Sequence, residues 1–200
     1  RIAYPYRPPG TGKPTVVFLP GYASDMEGTK AIAIDAFCGQ RQIGCLRLDY
    51  SGTGSSGGEF AGGTLSRWLQ EILAAIDLIT DGPLIIAGSS MGGWLALHVA
   101  LKRPDRVKGL LGIAAAPDFT DWGYTAEEKE ALVRDGSVER PNPYGPEPSV
   151  TWRDFWESGA EHRLLYNPID LIIPIRLVHG EYHAKKVLAQ ELIQRGYQVD

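Results

Sequence analysis

The pentapeptide Gly88-Ser89-Ser90-Met91-Gly92 constrains this chain more than any other feature. It follows the apolar run Leu84 to Ala87 and opens a segment, Gly92 to Arg103, that stops before Pro104. The short run suits a buried strand and the longer one a helix. A helix ends naturally ahead of a proline, which disfavours helical geometry in the residue before it. G-x-S-x-G in that setting is a strand turning sharply into a helix, with the central side chain lifted above the sheet. Small residues on either side let the backbones meet. A glycine-rich turn without chemistry would carry the same letters, but the flanking strand and helix are the context the chemistry needs. The lifted residue is Ser90, not Asp or Cys, so the expected intermediate is an acyl-enzyme ester.

Acyl transfer also needs donors for the oxyanion of the tetrahedral intermediate. The N–H of Met91, next to Ser90 and at a helix N-terminus, is one candidate. The other should come from the loop after an earlier strand, here Leu19-Pro20-Gly21-Tyr22, with Tyr22 N–H as the expected donor. An ordinary Pro-Gly turn is the alternative reading of that loop.

Strands are expected at Val16 to Leu19, Cys45 to Asp49, Leu84 to Ala87, Val107 to Ala114 and Ile175 to His179. Helices are expected at Gly28 to Gln40, Leu65 to Thr80, Gly92 to Arg103 and Tyr182 to Arg195, with a last strand starting at Tyr197. Leu65, Trp68, Leu69, Ile72, Ile76 and Ile79 form one helical face, with Thr64 placed to cap it. Alternating strands and helices imply an α/β fold, a mostly parallel sheet covered on both faces. Pro117 to Pro174 breaks the rhythm and reads as an inserted cap of short helices. Residues 1–200 are thus expected to form a single domain, with 117–174 as the cap and a C-terminal part missing.

The cap carries Phe119, Trp122, Tyr124, Trp152, Phe155 and Trp156. These suit an apolar acyl pocket, with Trp122, Phe155, Trp156 and His162 as candidate substrate contacts. They equally suit the cap's own small core. The formal net charge of −4 supplies no field to hold nucleic acid. No apolar run reaches membrane-spanning length, and no cluster of metal ligands is evident, so neither metal nor cofactor is expected. Cys38 and Cys45 read as two reduced, buried thiols, which suits a cytoplasmic protein. The chain opens at Arg1, so the natural start and any targeting peptide are expected to precede it.

The chain resembles the branch of α/β-hydrolases that includes the palmitoyl-protein thioesterases, also described as acyl-glucuronide esterases, and their bacterial relatives. The resemblance rests on Phe18-Leu19-Pro20-Gly21-Tyr22, Gly28-Thr29-Lys30-Ala31, Leu48-Asp49-Tyr50-Ser51-Gly52-Thr53-Gly54-Ser55-Ser56 and Gly88-Ser89-Ser90-Met91-Gly92-Gly93-Trp94. Glu161-His162 and Leu177-Val178-His179-Gly180 match more loosely. It implies hydrolysis of a small-molecule acyl ester or thioester. It also implies an acid loop after the strand ending in His179-Gly180, and a base histidine beyond Asp200. Here Gly180-Glu181 runs straight into Tyr182-His183-Ala184. None of the four histidines, His98, His162, His179 and His183, is a convincing base. Asp118 and Glu181 are candidate substitute acids. Either residues of the full protein are missing, including some between Glu181 and Tyr182, or the protein is a degenerate hydrolase that binds an acyl ligand or a partner. The intact elbow and oxyanion loop favour the first account.

Overall fold

In the computed structural model, residues 1–142 and 146–180 are described. The strands are β1 (Tyr6–Arg7), β2 (Thr15–Leu19), β3 (Gly44–Arg47), β4 (Leu84–Ser89), β5 (Val107–Ile113), β6 (Ser137–Arg140), β7 (Ser149–Trp152) and β8 (Ile175–Val178). The helices are α1 (Thr29–Gln40), α2 (Leu65–Ile79), α3 (Met91–Lys102), α4 (Phe119–Trp122), α5 (Ala126–Asp135) and α6 (Arg153–Glu161). The helix and strand expected after residue 181 lie outside the described residues.

Six strands form one sheet in the order β1-β3-β2-β4-β5-β8. The pairs from β3 to β8 are parallel, and only β1 runs antiparallel. Successive side chains on a strand point to opposite faces. In β2, Val16 and Phe18 pack with Ala31 and Cys38 of α1, whereas Val17 and Leu19 pack into the larger core under α2 and α3. Both sets are buried, which is why the strand sequences lack polar alternation.

Helix α2 has the expected apolar face, with Leu65, Trp68, Leu69, Ile72 and Ile76 buried. The Thr64 hydroxyl accepts a hydrogen bond from the Arg67 amide at 3.1 Å, filling one of the orphan donors of the first turn.

Two features depart from the expected pattern. The strand read as Cys45 to Asp49 ends at Arg47, because the chain beyond it turns so that Asp49 can bind loop amides. The region read as a cap of short helices contains α4, α5 and α6 but also an antiparallel hairpin, β6 with β7. Helix α6 docks on α2, where the Ser158 hydroxyl accepts the Leu65 amide at 2.9 Å.

Candidate active site

Strand β4 ends at Ser89 and α3 begins at Met91, so Ser90 alone makes the turn between them. It sits at φ 53°, ψ −116°, a region costly for a residue with a Cβ. Backbone bonds hold it there. Its amide donates to Ile113 O at 3.0 Å, and its carbonyl accepts from Gly93 and Ala116 at 2.9 and 3.1 Å. The flanking glycines are sterically required. A Cβ on Gly88 would lie 2.1 Å from Gly92 O, and one on Gly92 would lie 2.0 Å from Leu19 O. Both contacts are with backbone, so neither can be relieved by a rotamer change.

The Ser90 side chain makes no capping bond to α3. The first amides of α3, Met91 included, therefore lack a cap from that side chain, and the helix dipole adds partial positive charge there. Opposite lies the turn Gly21 to Ser24, closed by Ser24 N–H donating to Gly21 O at 3.1 Å, with Ala23 at φ 54°. A Cβ on Gly21 would meet the Ser90 Cβ at 3.4 Å, which places this turn directly against the serine. Among the described residues, the backbone–backbone bonds of turns and loops include none donated by the Tyr22 amide.

The turn is braced on several sides. Tyr50 Oη donates to Pro20 O at 3.0 Å from a fully buried position. Asp49, 1% exposed, accepts the amides of Met26 and Ser55, each at 2.7 Å, and so joins the loops after β2 and β3. Tyr22 Oη donates to Val150 O of β7 at 3.0 Å. Burial pushes the Tyr22 phenol well above its ordinary range, with Tyr124 adding to the effect, so it stays a neutral donor. Its ring lies 4.4 Å from that of Phe155 and 5.0 Å from that of Phe60.

A cleft of about 710 Å³ opens beside this turn, with Tyr22, Phe60, Val150, Trp152, Glu59 and Glu147 among its lining residues. Composition pointed elsewhere for the substrate contacts. Phe155 is 1% exposed and belongs to the core, in ring contact with Tyr22, Trp68 and Phe119. Trp156 donates to Thr120 O at 2.8 Å and faces a separate small depression with Ala160 and Arg163. Trp122 donates to Pro117 O at 2.8 Å. His162 serves mainly through its backbone. Its carbonyl accepts Trp94 Nε1 and His98 Nε2, each at 2.9 Å, which clasps the end of α6 to α3. Helical sequence does not reveal which aromatic faces core and which faces a cleft, and Phe60, alone in a glycine-rich loop, gave no signal at all.

Asp118 is buried after β5, at φ 55°. Its carboxylate accepts the Leu164 and Leu165 amides at 2.8 to 3.0 Å, fastening the chain after α6. Burial raises its pKa and these amides oppose the rise. His179 follows the end of β8. Glu181, His183 and the suspected break between Glu181 and Tyr182 lie outside the described residues. No group of three or more His, Cys, Asp or Glu side chains is placed to hold a metal among the described residues.

A mostly parallel sheet with helices on both faces, its central strand turning at a serine into a helix, defines the α/β-hydrolase class. The chain belongs to the family described as serine aminopeptidase, S33, which it matches over residues 10–133. It is 43% identical over 171 residues to the Pongo abelii palmitoyl-protein thioesterase ABHD10, mitochondrial, a match covering 84% of this chain and 56% of that protein. The chain thus spans little more than half the length of the curated relatives it matches. A solved structure from Agrobacterium vitis S4 superposes with a TM-score of 0.91 at 36% identity, covering 99% of this chain and 82% of that one. The alpha/beta hydrolase domain-containing protein 10 from mouse gives 0.86 at 34% identity, covering 100% and 82%.

Proposed function

We propose that this chain carries the nucleophile and oxyanion site of a serine esterase or thioesterase, acting on a small-molecule acyl ester or thioester. The observation that carries the reading is Ser90 held at φ 53° at the mouth of α3, against a turn whose amide is uncommitted. In the proposed reaction Ser90 Oγ attacks the acyl carbonyl carbon. Negative charge then develops on the carbonyl oxygen, where the Met91 and Tyr22 amides receive it. Collapse of this adduct expels the alcohol or thiol and leaves an ester on Ser90, which water hydrolyses in a second round. The Ser90 proton needs a base oriented by a carboxylate. The family resemblance assigns both to segments following Gly180.

The cleft walled by Tyr22, Phe60, Val150 and Trp152 supports an apolar acyl group, and the relatives' name, palmitoyl-protein thioesterase, agrees with that. The same relatives are named mitochondrial, which weighs against the cytoplasmic placement expected from the thiols. Among the described residues no helix is long and apolar enough to cross a membrane.

A second reading has one observation in its favour: the His98 imidazole is bonded into the α3–α6 clasp and that of His162 to Ser158 O of α6. On that reading the protein binds acyl ligands or a partner without turnover. Labelling of the full-length protein by an alkyl fluorophosphonate separates the two. Rapid labelling lost in Ser90→Ala supports the enzyme, and absence of labelling supports the binding protein.

A further inference from the structure

The oxyanion turn and the cap hairpin are far apart in sequence but share one bond, from Tyr22 Oη to Val150 O at 3.0 Å. The hairpin that offers this carbonyl is itself anchored. Thr151, one residue on, is buried and its hydroxyl is bonded to Tyr124 Oη at 2.8 Å. The Tyr124 ring lies under the Arg140 guanidinium, 4.4 Å away, and Arg140 grips Glu128 of α5. Glu128 in turn closes the capping box of α5 with Thr125. A rigid chain of contacts therefore runs from α5 through β7 to the turn beside Ser90.

We propose that the Tyr22 side chain is a positioning residue, through which the cap hairpin fixes the turn that offers the Tyr22 amide to the oxyanion. This rests on the reading of Ser90 as nucleophile and of that amide as a donor. The hydrogen bond described for the phenol goes to the hairpin and not to Ser90. It acts on the turn through the Tyr22 Cα, because a ring packed against Phe60 and Phe155 and a bonded hydroxyl leave the side chain one arrangement and so restrain the backbone that carries it. Tyr22 and Val150 also line the cleft. An acyl chain lying there would press on the two residues that set the turn, so remote binding would appear in the rate of the chemical step.

The test uses the full-length protein, an alkyl fluorophosphonate, and a neutral acyl ester as substrate. Tyr22→Phe removes only the hydroxyl and leaves the aromatic packing. A hydrogen bond of ordinary net worth predicts that Ser90 labelling and kcat both fall about 3- to 10-fold. KM should stay within about twofold, since the ring that lines the cleft is kept and only the hydroxyl bonded to Val150 is removed. Tyr124→Phe, which removes the Thr151 bond on β7 and leaves the Arg140–Glu128 pair in place, should slow labelling in the wild-type background and add nothing in the Y22F background. Wild-type labelling rates in Y22F overturn the inference. If Y22F does not fold, Y124F decides alone: slowed labelling supports the inference and an unchanged rate overturns it. An unlabelled wild type would sink the Ser90 reading itself, and this inference with it.

Discussion

His98 is a titratable group buried between α3 and the end of α6. It lies 9% exposed, with its Nε2 donating to His162 O and its ring 5.1 Å from the His162 ring. Burial lowers its pKa from 6.5 to about 4; the hydrogen bond to the His162 carbonyl opposes the shift, and the charges of His162 and Lys102 add to it. In the unfolded chain His98 takes a proton near 6.5, but in the folded one only near 4. Between those values the unfolded state binds more protons, so stability falls as the pH drops. Above the upper value the imidazole is neutral in both states and the effect vanishes. Below the lower value both states are protonated and the full loss of stability has been reached. The gap is worth about 3 kcal/mol, a large part of the 5 to 15 kcal/mol, roughly, that holds a domain together.

His98→Gln keeps a donor within reach of the His162 carbonyl and cannot titrate. Urea unfolding of both proteins from about pH 7 down to about pH 4 should show wild type losing about 3 kcal/mol relative to the variant. Carboxylates such as Asp118 titrate alike in both, so the difference isolates His98. A stability difference that stays constant with pH would refute the reasoning, because the imidazole would then be protonating in place.

Two further outcomes follow from packing. Phe155→Ala, at a core position ringed by Tyr22, Trp68 and Phe119, should shift the urea midpoint by an amount equivalent to about 3 to 5 kcal/mol; a cost under about 1 kcal/mol would return Phe155 to the cleft wall. Asp118→Asn sets a side-chain N–H₂ against the Leu164 and Leu165 amides, and should destabilise by about 1 to 3 kcal/mol with Ser90 labelling held within about twofold. Lost labelling with stability intact would make Asp118 the orienting acid instead.

The parts of the fold legible in the sequence are those where backbone sterics leave little choice. Gly88 and Gly92 meet carbonyl oxygens at about 2 Å from any Cβ, so only that spelling permits the turn, and the letters disclose it. Helix α2 was legible because fifteen residues repeat one apolar face. Strand β1, with two residues, and β6 and β7, with four each, are too short to show a period. The role of Asp49 was hidden for another reason. Its partners, Met26 and Ser55, are amides, which every residue but proline offers, so no side-chain pattern marks the contact.

Electrostatic stabilisation of an oxyanion is worth most when the donors are fixed before charge develops, since reorganising them during the reaction would consume the gain. On the proposed reading, the geometry around Ser90 would meet that requirement, because the serine and the facing turn are braced separately. The serine is held by bonds to β5 and to the segment after it, not by its own side chain. The turn across from it is held at Pro20 by Tyr50 and at Met26 by Asp49, neighbours in the loop after β3, and at Tyr22 by the cap hairpin, so its anchors come from two separate parts of the chain. Gly92 lets α3 approach Leu19 O and Pro20 O, setting the separation between the two halves of the site. Strain at Ser90 can persist because its neighbours over-determine it. The sheet sets where the serine stands, and the loop after β3 together with the cap sets where the facing turn stands. On the proposed reading, a change in the cap would reach the chemistry through Tyr22 without touching Ser90.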